Sequence, residues 1–101
     1  MKGGKLINPE IVFGQVLQEI RQQKGLSQEG LGFESGYHRT YVSLLERGRK
    51  SPSLTTIFQL ARALGVMPSF ILERVESRLS LTTKRDKRKP HHENHKKRTA
   101  D

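Results

Sequence analysis

Apolar side chains recur along this chain in short stripes separated by glycine, proline and serine. Phe13, Val16, Leu17 and Ile20 stand at i, i+3, i+4 and i+7, one face of an amphipathic helix. That spacing predicts a first helix from residue 8 or 9 to 24, with Asn8 as its cap and Gly25 as its stop. Pro9 falls in the first turn, where a missing N–H costs nothing. Ser27 is suited to cap a second, short helix that stops at Gly36, with Leu31 as its apolar contact and Phe33 as a second candidate. A third helix is predicted over residues 38–47, with Val42 and Leu45 facing inward and Gly48 supplying a left-handed end. Ser53 then caps a fourth helix, in which Leu54, Ile57, Leu60, Ala61 and Leu64 form a stripe that closes at Gly65, with Val66 after it. Pro68 opens a fifth, with Phe70, Ile71, Leu72 and Val75 on its apolar side, fading near Leu79 or Leu81. The pattern predicts an all-α bundle of five helices and no strand.

The second helix is poorly made by local rules. Gly30 stands where a capping box would carry Glu or Gln, and Gly32 lies mid-helix, so each is expected to cost roughly 0.5–1 kcal/mol against alanine. His38 stands where Ser, Thr or Asp commonly caps a helix. On this reading Gly30→Glu and Gly32→Ala both raise the melting temperature.

From Thr82 onward the only aliphatic residue is Ala100, and such a charged stretch cannot bury enough surface to offset its ordering entropy. The expected organisation is therefore a flexible start over residues 1–7, one domain over 8–81 and a disordered basic tail over 82–101. A chain of 101 residues, 33% hydrophobic, has room for one core. It has no cysteine, which excludes disulfides, thiolate zinc sites and thiol nucleophiles. No apolar run approaches the roughly 18 residues of a membrane span, and no secretory signal is visible, so a cytoplasmic protein is expected. Net charge is +9, with eight Lys/Arg against three Asp/Glu in residues 84–101. A basic balance points to a polyanionic partner, most commonly nucleic acid, although a basic tail also serves solubility alone.

Segment 26–48, LSQEGLGFESGYHRTYVSLLERG, resembles the helix-turn-helix of the Cro and phage-repressor type family, also called XRE. Arg21 before it and the run from Ser51 to Val66 after it follow the same pattern, so the resemblance covers about residues 11–75. It implies a five-helix bundle of the phage-repressor DNA-binding domain type that binds double-stranded, palindromic operator DNA, often as a homodimer. In such a motif the first helix rests on the DNA backbone while the second lies in the major groove. The His38-Arg39-Thr40-Tyr41 run is similar to that of restriction-modification controller proteins within the family.

The resemblance also implies roles. His38, Arg39, Thr40, Ser43 and Leu44 become base-reading candidates. Arg39 can bond bidentately to guanine O6 and N7, or equally bind a phosphate; Leu44 can meet a thymine methyl, or simply pack. Gln28, Tyr41, Arg47, Arg49, Lys50 and Ser51 become DNA-backbone candidates. Tyr37 is expected to be core, its hydroxyl escaping to the surface. Arg21 and Glu46 match positions that form a buried structural ion pair. Helix five, around Phe70, Ile71 and residues 74–78, is the candidate dimer surface.

No catalytic constellation is visible, so an enzyme is not expected, and neither is a cofactor. His91, His92 and His95 cluster in the tail without a second ligand group, so no metal site is predicted. The reading is a transcriptional regulator, a repressor or controller; the alternative is an antitoxin-like interaction module with secondary DNA binding.

Overall fold

A computed structural model describes residues 8–83 and contains five helices: α1 (Pro9–Gln23), α2 (Gln28–Ser35), α3 (Arg39–Glu46), α4 (Leu54–Leu64) and α5 (Pro68–Thr83). No strand occurs among the described residues. Residues 1–7 and 84–101, to which the sequence assigns the flexible start and most of the basic tail, lie outside the described residues. The fifth helix continues two residues past the boundary expected at 81.

The serine caps and the glycine stops act as anticipated. Ser27 Oγ accepts the Gly30 N–H at 2.9 Å, and Ser53 Oγ accepts the Thr56 N–H at 3.0 Å, each satisfying an orphan donor of a first helical turn. Gly25, Gly36, Gly48 and Gly65 all take positive φ. Asn8 occupies the cap position of α1, but its side chain makes no cap bond; its carbonyl starts the helix by accepting from Ile11 and Val12. His38 proves a competent cap, since its Nδ1 accepts the Thr40 N–H at 3.0 Å.

The core joins Val12, Phe13, Val16, Leu17 and Ile20 of α1 to Leu31, Val42, Leu45, Leu60, Ala61, Leu64, Ile71 and Val75. Three expectations about it are corrected. Phe33 is 83% exposed, because it stands two residues from Leu31, on the opposite side of a helix that buries Leu31, Gly32 and Ser35. Leu54 is 67% exposed, since α4 faces the core with Thr56, Leu60 and Ala61 and leaves its first residue on the rim. Phe70 and Leu72 are likewise exposed, flanking the fully buried Ile71.

Gly32 is placed by close approach rather than by helix preference. A methyl group there would lie 2.6 Å from the Tyr37 carbonyl oxygen and 3.2 Å from the Arg39 nitrogen. The turn folds back because both Gly36 and Tyr37 donate to the Gly32 carbonyl, at 2.9 and 2.8 Å. The expectation that Gly32→Ala stabilises is therefore overturned although the segment is helical. Gly14 does the same for the crossing of α1 and α3: a Cβ there would collide with the carbonyls of Leu45 and Glu46.

Candidate nucleic-acid interface

Val42, Leu45 and Glu46 turn one side of α3 into the protein. Thr40, Ser43, Leu44 and Arg47 then fall at i, i+3, i+4 and i+7 on the other side; Thr40 and Arg47 are exposed, and Ser43 and Leu44 half-buried. Arg39 and His38 stand exposed at the start of the same helix. The His38 ring is committed on its Nδ1 edge to the cap, leaving its other edge for any outside partner. The five base-reading candidates thus occupy one end and one flank of α3.

Arg49, Lys50 and Ser51 continue from Arg47 along the exposed loop into α4. Between His38 and Ser53 the only acidic residue is Glu46, and its carboxylate is neutralised inside the fold. Arg21 Nε and Nη2 donate to Glu46 Oε2 and Oε1 at 2.6 and 3.0 Å, and Arg21 Nη1 donates to the Leu26 carbonyl at 2.8 Å. Both side chains are buried, and burying an ion pair is tolerable only with this degree of hydrogen bonding. The flank that faces outward therefore carries arginine and lysine charge with no exposed acid within its own segment, suited to a polyanion.

Gln28 sits at the start of α2 with its side-chain Nε2 donating to Glu46 Oε1 at 2.9 Å. The resemblance sets it against a phosphate; the fold braces it on the ion pair. Tyr41 is half-buried, its hydroxyl 3.3 Å from Thr56 Oγ1. Tyr37 does not send its hydroxyl to the surface: it donates to the same Thr56 oxygen at 3.2 Å.

Two participants were not anticipated. Thr56, buried on the first turn of α4, joins both tyrosines; the Ser53-x-x-Thr56 spacing of a cap and its third helical residue was the available signal. Glu10 accepts from Ser51 Oγ at 2.9 Å across 41 positions, and nothing local announces such a contact. Among the described residues, no group of three or more His, Asp or Glu side chains could hold a metal ion.

A family model described as helix-turn-helix matches residues 17–71. The chain is 45% identical over 67 residues to control protein C.BamHI of Bacillus amyloliquefaciens, covering 65% of this chain and 83% of that protein. It is similar to the solved structure of the restriction-modification controller protein C.AhdI from Aeromonas hydrophila, with 48% identity and a TM-score of 0.60 over 61% of this chain and 94% of that one. It is also similar to the clp gene regulator ClgR from Corynebacterium glutamicum, with 27% identity and a TM-score of 0.73 over 77% and 83% of the two chains. With the cap, glycine turn and outward-facing third helix in place, the chain belongs to the XRE-type helix-turn-helix family of transcriptional regulators.

Proposed function

We propose that this regulator controls a promoter by seating α3 in the major groove of a palindromic operator. The observation that carries the reading is the polar flank of α3, continuous with the cationic loop that follows it, in a segment whose only acid is neutralised internally. Arg39, Thr40, His38, Ser43 and Leu44 read base edges; Gln28, Tyr41, Arg47, Arg49, Lys50 and Ser51 hold the phosphates. Arg39 is the principal base contact, taking a guanine. Arg21 and Glu46 act structurally, tying α1 to the end of α3. Relatives named as control proteins support a controller role, exercised by binding and not by catalysis, in the cytoplasm.

Two copies bind together, since half-sites one helical turn apart multiply a weak single-module affinity. The corner between α4 and α5 offers the contact: Leu54, Phe58, Val66 and Pro68 line an apolar groove there, and Met67 and Phe70 are exposed beside it. Ile71 leaves the surface expected for this role because it is fully buried. Sedimentation of Phe58→Glu should show a monomer where the unaltered chain is a dimer.

The reading is tested by selecting bound DNA from a random pool at about 150 mM salt, where phosphate contacts alone discriminate poorly. An enriched palindrome whose guanine preference fades in Arg39→Ala is expected. Binding to every sequence with no enriched motif would refute it.

A further inference from the structure

The hydroxyl of Thr56, a residue only 4% exposed, is surrounded by three others: Ser53 Oγ at 3.0 Å, Tyr37 OH at 3.2 Å and Tyr41 OH at 3.3 Å. A hydroxyl has one proton and two acceptor lone pairs, so three such neighbours saturate it. Tyr37 donates. With Tyr37 donating, the single Thr56 proton goes to Ser53 while Tyr41 donates, or to Tyr41 while Ser53 donates; Thr56 is saturated in both arrangements. The tyrosine rings lie beside one another, centroids 5.0 Å apart and inclined at 45°.

The position of this cluster matters more than its strength. The buried anchors of α3, Val42, Leu45 and Glu46, all lie in its middle and C-terminal part. Arg39 and Thr40 lie at the opposite end. Among the described residues, the side-chain hydrogen bonds that tie residues 37–41 to another helix both end on Thr56. His38 adds only a local cap. One oxygen of α4 therefore holds both the turn, through Tyr37, and the first turn of α3, through Tyr41.

We propose that Thr56 is a specificity-positioning residue: without touching DNA, it sets the pose of Arg39 and Thr40 by holding Tyr37 and Tyr41. This rests on the reading that α3 enters the groove. A positioning role acts on base contacts, which need fixed geometry, and leaves phosphate attraction largely unaffected, because charge attraction tolerates displacement.

The test compares the full chain with Thr56→Val, which keeps shape and removes the hydroxyl, on the selected operator and on a scrambled duplex at one salt concentration. Operator affinity is expected to fall about five- to tenfold, the equivalent of one to two network hydrogen bonds, with scrambled-duplex affinity unchanged. Thr56→Ser should restore the ratio. Tyr37→Phe, which removes one of the same bonds from the other side, should lower the ratio too, and should add nothing in the Thr56→Val background. That second variant decides the matter if Thr56→Val fails to fold. An unchanged operator-to-scrambled ratio in a folded variant, or an equal loss on both duplexes, overturns the positioning role alone. A wild-type chain with no operator preference would overturn the reading of α3 and this proposal together.

Discussion

Gln28 and Arg21 hold the same oxygen of Glu46, at 2.9 and 3.0 Å, so the residue that opens α2 is braced on the ion pair that closes α3. The two helices of the motif are thereby coupled through one buried carboxylate. Glu46→Ala strands the Arg21 guanidinium in the core and frees Gln28 at once. Its expected cost is about 3–5 kcal/mol of stability, read from urea denaturation; a loss under about 1 kcal/mol would mean that water reaches the site.

Gly30 and Gly32, two residues apart on α2, are expected to respond in opposite directions. A Cβ at Gly30 meets only side-chain atoms, Ser27 Oγ at 3.2 Å and Leu26 Cδ2 at 3.5 Å. Gly30→Glu completes a capping box and should stabilise by about 0.5–1 kcal/mol. Gly32→Ala drives a methyl into the Tyr37 carbonyl and should destabilise by about 1–3 kcal/mol. Thermal melts of the pair decide it, and two shifts of the same sign would contradict the geometry.

Glu19 and Arg78 join α1 to α5 by two hydrogen bonds of 2.9 Å each. The bond from Arg78 holds the Glu19 carboxyl below its ordinary value of 4.5. A carboxyl lowered in the folded state contributes stability that is fully present above the unfolded value and is lost as pH falls through the folded one. Both side chains are partly exposed, so the contribution is only about 0.2–1 kcal/mol. Arg78→Met should reduce stability by more at pH 7 than well below pH 4.5; denaturation curves at the two pH values check the narrowing.

Glu10 places a carboxylate beside the loop proposed to meet phosphates. Its Oε2 accepts from Ser51, while its Oε1 is buried without a hydrogen-bond partner. A negative charge there opposes an approaching backbone. Glu10→Gln, which keeps an acceptor for Ser51, should raise affinity for operator and scrambled duplexes alike by about two- to fivefold at low salt. Anisotropy titrations over a salt series measure this; unchanged affinity would place Ser51 away from the phosphates.

The relation between sequence and structure differs from element to element. Ser27, Ser53 and the glycines that end helices act on atoms three or four residues away, so their roles could be read directly from spacing. The Arg21–Glu46 pair was legible only by resemblance, because 25 positions separate its members. Phe33 and Leu54 misled for different reasons: Phe33 lies two residues from Leu31 and so on the other side of α2, while the stripe that includes Leu54 shows which residues share a face, not how far the neighbouring helix extends to cover them. Gly32 misled in a different way. Helix propensity measures a residue against its own turn, whereas the constraint on Gly32 comes from the backbone of the turn that follows.

By itself the sequence determined the five helices, the serine caps of α2 and α4, the glycine stops, the outward polar flank of α3 and the membership of a DNA-binding family, since these depend on periodicity and near-neighbour bonding. Tertiary structure alone decided that Thr56 gathers two tyrosines, that Ser51 meets Glu10, that Gln28 leans on Glu46 and that the apolar surface lies at the α4–α5 corner. Each of these joins residues brought together by the packing of whole helices, and the orientation of one helix against another is set by the summed shape of both faces, which no local pattern encodes.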